Sequence, residues 1–315
     1  MAAEVNIDAL MPAEMARKAE VIGVKKAGMN GVTMFILAVL AGAFIALGAV
    51  FATTVFSGGI TVKTAEGAAA FTTGLPYGVT RLLGGMVFCL GLILVVVSGA
   101  ELFTGNNLIV MAWANGKVTT GALLRNWSIV YLGNFVGSLG TALLVFTGKQ
   151  YEFGSGAIGL TALNIASSKV GLGFLQAIAL GILCNALVCL AVWMTYSARS
   201  TLDKIAAIIF PITAFVAAGF EHSIANMYFI PYGIMVKDFA SPEFWQVIGR
   251  TPADYAGLNW GTFFINNLLP VTIGNVIGGA LLVAAVYWFV YLRAPAAQAK
   301  PSGQAVPSEK GAGAD

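Results

Sequence analysis

Residues 219–227 read GFEHSIANM and set a glutamate, Glu221, beside the chain's only histidine, His222. Uncharged stretches flank the pair, IAAIIFPITAFVAAGF at 205–220 and SIANMYFIPYGIMV at 223–236. Histidine changes charge near neutrality, so His222 can offer a proton or a hydrogen bond to an anion in an apolar surround. The plainer alternative is a core histidine bonded to a backbone carbonyl. Glu221 reads as an acceptor that ties down amides, and Glu101 in GAELFTGNN repeats it. Thr104 follows the first acid, where its hydroxyl and the free N–H groups of a starting helix suit an anion. Asn185 in GILCNALVCLA and Asn275 in TIGNVIGG are lone amides that either donate to an anion or bond between helices. Lys169 in SSKVGLGF is either a solvated loop lysine or a cation that draws anions to a pore mouth. Phe88, Leu92, Leu102 and Phe215 read as core packing or as apolar rings that exclude water and bare ions.

Other chemistry finds little support. His222 lacks the Ser and Asp partners of a hydrolase, and no metal-ligand spacing is present, so neither enzyme activity nor a cofactor or metal is expected. GLGFLQ opens a membrane helix rather than a strand–helix nucleotide loop. Cys89, Cys184 and Cys189 lie in apolar runs and read as small buried hydrophobes. A net charge of +3 without an aromatic-interleaved basic cluster gives no reason to expect nucleic acid.

The elements that position these residues must cross a lipid bilayer. The 315 residues are 58% hydrophobic and 10% charged, with a mean hydropathy of +0.84, against about 25% charge in a soluble domain. Uncharged runs exceed the roughly 20 residues a spanning helix requires. The pattern predicts an all-α membrane protein with six crossings, at about 31–57, 78–115, 122–148, 170–197, 203–236 and 260–292. The second and fifth are too long and are expected to break in the middle. Residues 1–30 form an N-terminal segment with an amphipathic helix at 12–24 lying on the membrane surface. Residues 31–293 form one membrane domain, and the polar tail at 294–315 reads as disordered. Connections at 57–77, 149–169 and 237–259 fall on one side with 6 of the 17 Lys and Arg residues, and the other 11 fall on the opposite side. The bias places both termini in the cytoplasm.

The two breaks repeat each other. GAELFTGNN and GFEHSIANM each place an acid two residues after glycine and an asparagine seven after it. YLGNFVGSLGTALLV and TIGNVIGGALLVAAV match around Asn134 and Asn275. Three crossings per repeat force the halves to run in opposite directions, the inverted arrangement that builds a midplane site from broken helices.

The strings GAELFT, GFEHSIANM, NALVCLAVWM, PVTIGN and DFASPEFW closely resemble the formate/nitrite transporter family, most of all its formate channel branch, over about residues 10–293. The resemblance implies a homopentamer in the inner (cytoplasmic) membrane, with an aquaporin-like pore in each protomer that moves formate passively or with a proton. It implies a mobile loop at 98–104 carrying Thr104. It also implies a pore-facing His222 that protonates or hydrogen-bonds the anion, with Asn185 and Asn275 lining the same chamber. Lys169 would attract the anion, and Phe88, Leu92, Leu102 and Phe215 would form two constrictions. A bare carboxylate crossing an apolar ring loses its hydration, whereas neutral formic acid loses far less, so a pH-dependent flux is expected. The alternatives are another small anion (nitrite, hydrosulfide, acetate or lactate) and a neutral-solute aquaporin-like channel, although the paired Asn-Pro-Ala motifs of the latter are absent. A catalytic Glu221–His222 pair is disfavoured, because adjacent helical residues diverge by about 100°.

Overall fold

Apolar runs in lipid fold as helices because each backbone polar group must be satisfied within the segment. The computed structural model describes residues 9–58, 60–63 and 69–293; the polar tail and the first eight residues of the N-terminal segment lie outside these. The helices in chain order begin with α1 (Pro12–Ala27) and α2 (Gly31–Phe56). After α3 (Tyr77–Ser98), a 3-10 turn at Gly105–Ile109 leads into the short α4 (Val110–Ala114). Then follow α5 (Thr120–Thr147), α6 (Ala157–Val170), α7 (Phe174–Ser197), α8 (Thr201–Ala217), α9 (Ser223–Phe239) and α10 (Pro242–Ile248). A last span runs through α11 (Trp260–Thr262), α12 (Leu269–Val276) and α13 (Val286–Tyr291), joined by π-helical stretches at Phe263–Leu268 and Ile277–Ala285.

Among the described residues, five helices are long and apolar enough to cross a membrane. The expected fifth crossing is present as α8 and α9, 17 residues each, separated at 218–222. The expected second crossing breaks in the same way between α3 and the turn at Gly105. Two features differ from the sequence reading. The stretch at 149–169 is largely helical, as α6, and the α2–α3 connection holds a short antiparallel hairpin of β1 (Ile60–Lys63) and β2 (Ala69–Thr73). In addition, α1 does not offer its apolar face to lipid. Met15, Ala16 and Ala19 are buried in one cluster with Ile109, Met111 and Ala112 of the first break. Lys18 Nζ donates to the Tyr196 carbonyl at 2.7 Å, and Glu20 accepts from Asn115 and from Lys117, the latter at 2.5 Å.

Helix packing is close where glycine allows it. A Cβ on Gly137 of α5 would land on the Val39 carbonyl oxygen of α2, and one on Gly278 would land on the Ile182 carbonyl oxygen of α7. Gly137→Val is therefore expected to cost about 3 kcal/mol by forcing α2 and α5 apart, read as a fall of several degrees in the unfolding temperature of detergent-solubilised protein. Gly121→Ala, with open space at its Cβ, is the matched control and should shift it little.

Candidate permeation site

The site is built where the two broken spans meet. Helix α3 ends at Gly99 with φ +80, and the turn after α8 is made by Gly219 with φ +75, left-handed conformations that glycine adopts without a Cβ clash. The following residue folds back in each case, with the N–H of Ala100 on the Val95 carbonyl at 2.9 Å and that of Phe220 on the Phe215 carbonyl at 3.0 Å. The chain then runs non-helically through Glu101 and Glu221, whose N–H groups donate to Leu37 in α2 and Leu180 in α7 at 3.2 and 3.3 Å.

Two buried asparagines hold these exposed backbones. Asn134 Oδ1 accepts from the Phe103 N–H at 2.9 Å, and its Nδ2 donates to the Ala38 and Glu101 carbonyls at 2.7 and 2.9 Å. Asn275 does the same with the Ser223 N–H and the Gly181 and Glu221 carbonyls, each at 2.9 Å. The acids are matched too. Glu101 accepts from Lys26 at 2.6 Å and from Asn106 at 2.7 Å. Glu221 accepts from Lys169 and Asn226 at 2.7 Å and from Asn267 at 3.1 Å. The two halves therefore repeat the asparagine brackets and the Lys–Glu–Asn contacts, with Asn267 as an added donor to Glu221, and Glu221 binds side-chain donors rather than the helix-break amides.

The halves differ at the point where they touch. Leu102 and His222 occupy the same place, each between the glutamate and the asparagine-bound residue. His222 Nδ1 accepts from the Ala225 N–H at 3.1 Å and caps α9. An Nδ1 that accepts an N–H carries no proton, so the ring is the neutral tautomer with Nε2–H outward. Nε2 lies 2.9 Å from Thr104 Oγ1 of the other break. His222 is 2% exposed and Thr104 fully buried.

Three spaces line up about this contact. A cavity of about 260 Å³ is bounded by Arg81, Lys169, Glu221 and His222, with Phe88 and Phe215 at its inner end. A pocket of about 10 Å³, about the room one water molecule needs, lies among Phe88, Phe215, Leu92, Leu102 and His222. A cavity of about 410 Å³ follows beyond Leu92 and Leu102, bounded by Lys25, Lys26 and Glu101. Phe88 and Phe215 meet edge to face with ring centroids 5.7 Å apart and separate the first space from the second. All four residues read as constrictions thus sit at the two ends of the histidine pocket.

The remaining candidates are placed differently. Lys169 is 16% exposed at its side chain and closed onto Glu221, with its ammonium 5.6 Å from the Phe229 ring centroid. Asn185 and Asn275 are fully buried and border none of these three spaces. Asn185 Nδ2 lies 2.7 Å from the Asn275 carbonyl, 3.3 Å from Asn107 Oδ1 and 3.4 Å from the Thr104 carbonyl. It clamps the first break against the last span. Sequence reasoning did not single out Arg81, Lys25, Lys26, Asn126 or Asn267. The spacing Asn126–Asn134 and Asn267–Asn275 was the available signal for the last two.

A helical protein with several spans long and apolar enough to cross a membrane, and with a small apolar pocket at a buried polar contact between two cavities, is channel-like in architecture. Residues 13–289 match the family described as Formate/nitrite transporter. The chain is 48% identical over 293 residues to the formate channel FocA of Escherichia coli (strain K12), covering 93% of this chain and 98% of that protein. It is 45% identical over 275 residues to the formate channel FocA of Haemophilus influenzae, covering 87% and 92%. Among solved structures it is similar to a pentameric formate channel with formate bound, with a TM-score of 0.75 at 46% identity, covering 84% of this chain and 98% of that one. The chain belongs to the formate/nitrite transporter family.

Proposed function

We propose that this protein passes formate across the cytoplasmic membrane through a path in each protomer of a homopentamer, with both termini cytoplasmic and its two halves inverted. The observation that carries the reading is the His222–Thr104 contact at 2.9 Å, held between two apolar closures. An anion entering there must lose water, which is costly without donors. The neutral His222 offers Nε2–H, and Thr104 can turn its hydroxyl toward the same guest. Because Nδ1 already accepts a backbone N–H, hydrogen-bond donation is the step this geometry favours. Full proton transfer would require a ring protonated at both nitrogens, and so would break the α9 cap. The likeness to formate channels favours formate over nitrite, hydrosulfide, acetate or lactate.

The test is uptake of labelled formate into proteoliposomes between pH 5 and 8, against protein-free vesicles, with nitrite, hydrosulfide, acetate and lactate as competitors. Saturable uptake above background that varies with pH is expected. Uptake no faster than in empty vesicles, with the protein correctly inserted, overturns the reading. Stronger inhibition by nitrite or hydrosulfide than by unlabelled formate would reassign the substrate.

A further inference from the structure

Each of the two cavities that flank the histidine pocket is lined by two cations and one carboxylate. On the α8 side these are Arg81, Lys169 and Glu221, and on the other side Lys25, Lys26 and Glu101. In both, the carboxylate is already engaged, by Lys169 at 2.7 Å and by Lys26 at 2.6 Å. Such a pair presents a dipole, whose field falls off faster than that of a single charge. Arg81 and Lys25 have no carboxylate partner among the described residues.

Arg81 is fixed in place. Its Nε donates to the Ala217 carbonyl at 3.3 Å and its Nη2 to the Val216 carbonyl, and the guanidinium lies 4.7 Å from the Phe56 ring centroid. The two carbonyls are the C-terminal end of α8, which carries negative partial charge. Without Arg81 this vestibule would contain one closed ion pair and a negative helix end, an arrangement that repels anions.

We propose that Arg81 gives the α8-side vestibule its attraction for small monovalent anions and that Lys25 does so at the opposite mouth, the charges of Lys169 and Lys26 being neutralised locally by their glutamates. This deepens the conduction reading above and rests on it. Initial rates of labelled formate uptake into proteoliposomes, resolved into KM and Vmax at about 20 mM and about 0.5 M ionic strength, separate steering from structure, because the field of a vestibule charge is screened at the higher salt. Arg81→Gln is expected to raise KM roughly 3-fold to 10-fold at low ionic strength with Vmax retained. The difference should vanish at high ionic strength, and Arg81→Lys should keep the low KM. Lys25→Gln should behave as Arg81→Gln does. An unchanged KM for Arg81→Gln at low ionic strength, beside saturable wild-type uptake, overturns the assignment. So does a fall in Vmax for both Arg81 variants at every ionic strength, which would mean that the arginine acts by holding the end of α8. Absence of uptake by the wild-type protein overturns the conduction reading, and this assignment with it.

Discussion

His222→Asn is expected to slow formate uptake roughly 30-fold to 160-fold while leaving the protein folded. A donor to a charged guest in a desolvated site is worth about 2–3 kcal/mol, and each 1.36 kcal/mol of barrier is tenfold in rate. Asparagine is chosen because its side-chain oxygen replaces Nδ1 as acceptor for the Ala225 N–H and keeps the α9 cap, while its shorter amide falls short of Thr104. His222→Phe, by contrast, loses both roles. It should show the same loss of uptake and, in addition, a destabilisation of about 1 kcal/mol from the missing cap. The measurement pairs uptake into proteoliposomes with thermal unfolding in detergent. Uptake by His222→Asn within a few-fold of wild type would remove the histidine from the mechanism. A large fall in unfolding temperature for His222→Asn would mean that its role is structural.

The parts of this site that were legible in the sequence are those a single chain position announces. A histidine and two glutamates within uncharged runs stand out because charge at membrane depth is costly, and the structure places all three at helix breaks. The resemblance named Phe88, Leu92, Leu102 and Phe215, and all four line the pocket beside His222. The use of each amide was not legible. Asn185 and Asn275 could as well have faced a guest as a neighbouring helix, and only the packing shows that both bind protein. The pairing of Lys169 with Glu221, 52 positions away, was not legible either. Nor was the pairing of Lys26 with Glu101, 75 positions away, nor the seat of α1, whose amphipathic pattern fits a lipid surface as well as the protein groove it fills. The π-helical stretches of the last span left no readable signal in the hydrophobic period.

Asn275→Ala is expected to be among the most destabilising single substitutions in the membrane body, and Asn134→Ala to match it. Each asparagine binds three buried backbone groups, two at the break and one a carbonyl within the neighbouring helix, Ala38 of α2 or Gly181 of α7. Removing the side chain orphans the two groups at the break, the carbonyl inside the neighbouring helix keeping its own helical N–H, and an unsatisfied buried group costs about 1–3 kcal/mol. A loss of about 4 kcal/mol is a moderate expectation for two such groups. It corresponds to roughly 10 °C in the unfolding temperature. Asn275→Asp gives a sharper test, because it preserves shape and the acceptor for Ser223 but replaces two donated hydrogen bonds by a carboxylate facing the Gly181 and Glu221 carbonyls. It should be no more stable than Asn275→Ala. An unfolding temperature for either Asn275 variant within about 2 °C of wild type would show that the breaks are held by other contacts. The matched cost at Asn134 and Asn275 would have a functional consequence. His222 and Thr104 reach each other only because both breaks are anchored at the same depth, so slack in either bracket should lower formate flux before the protein unfolds.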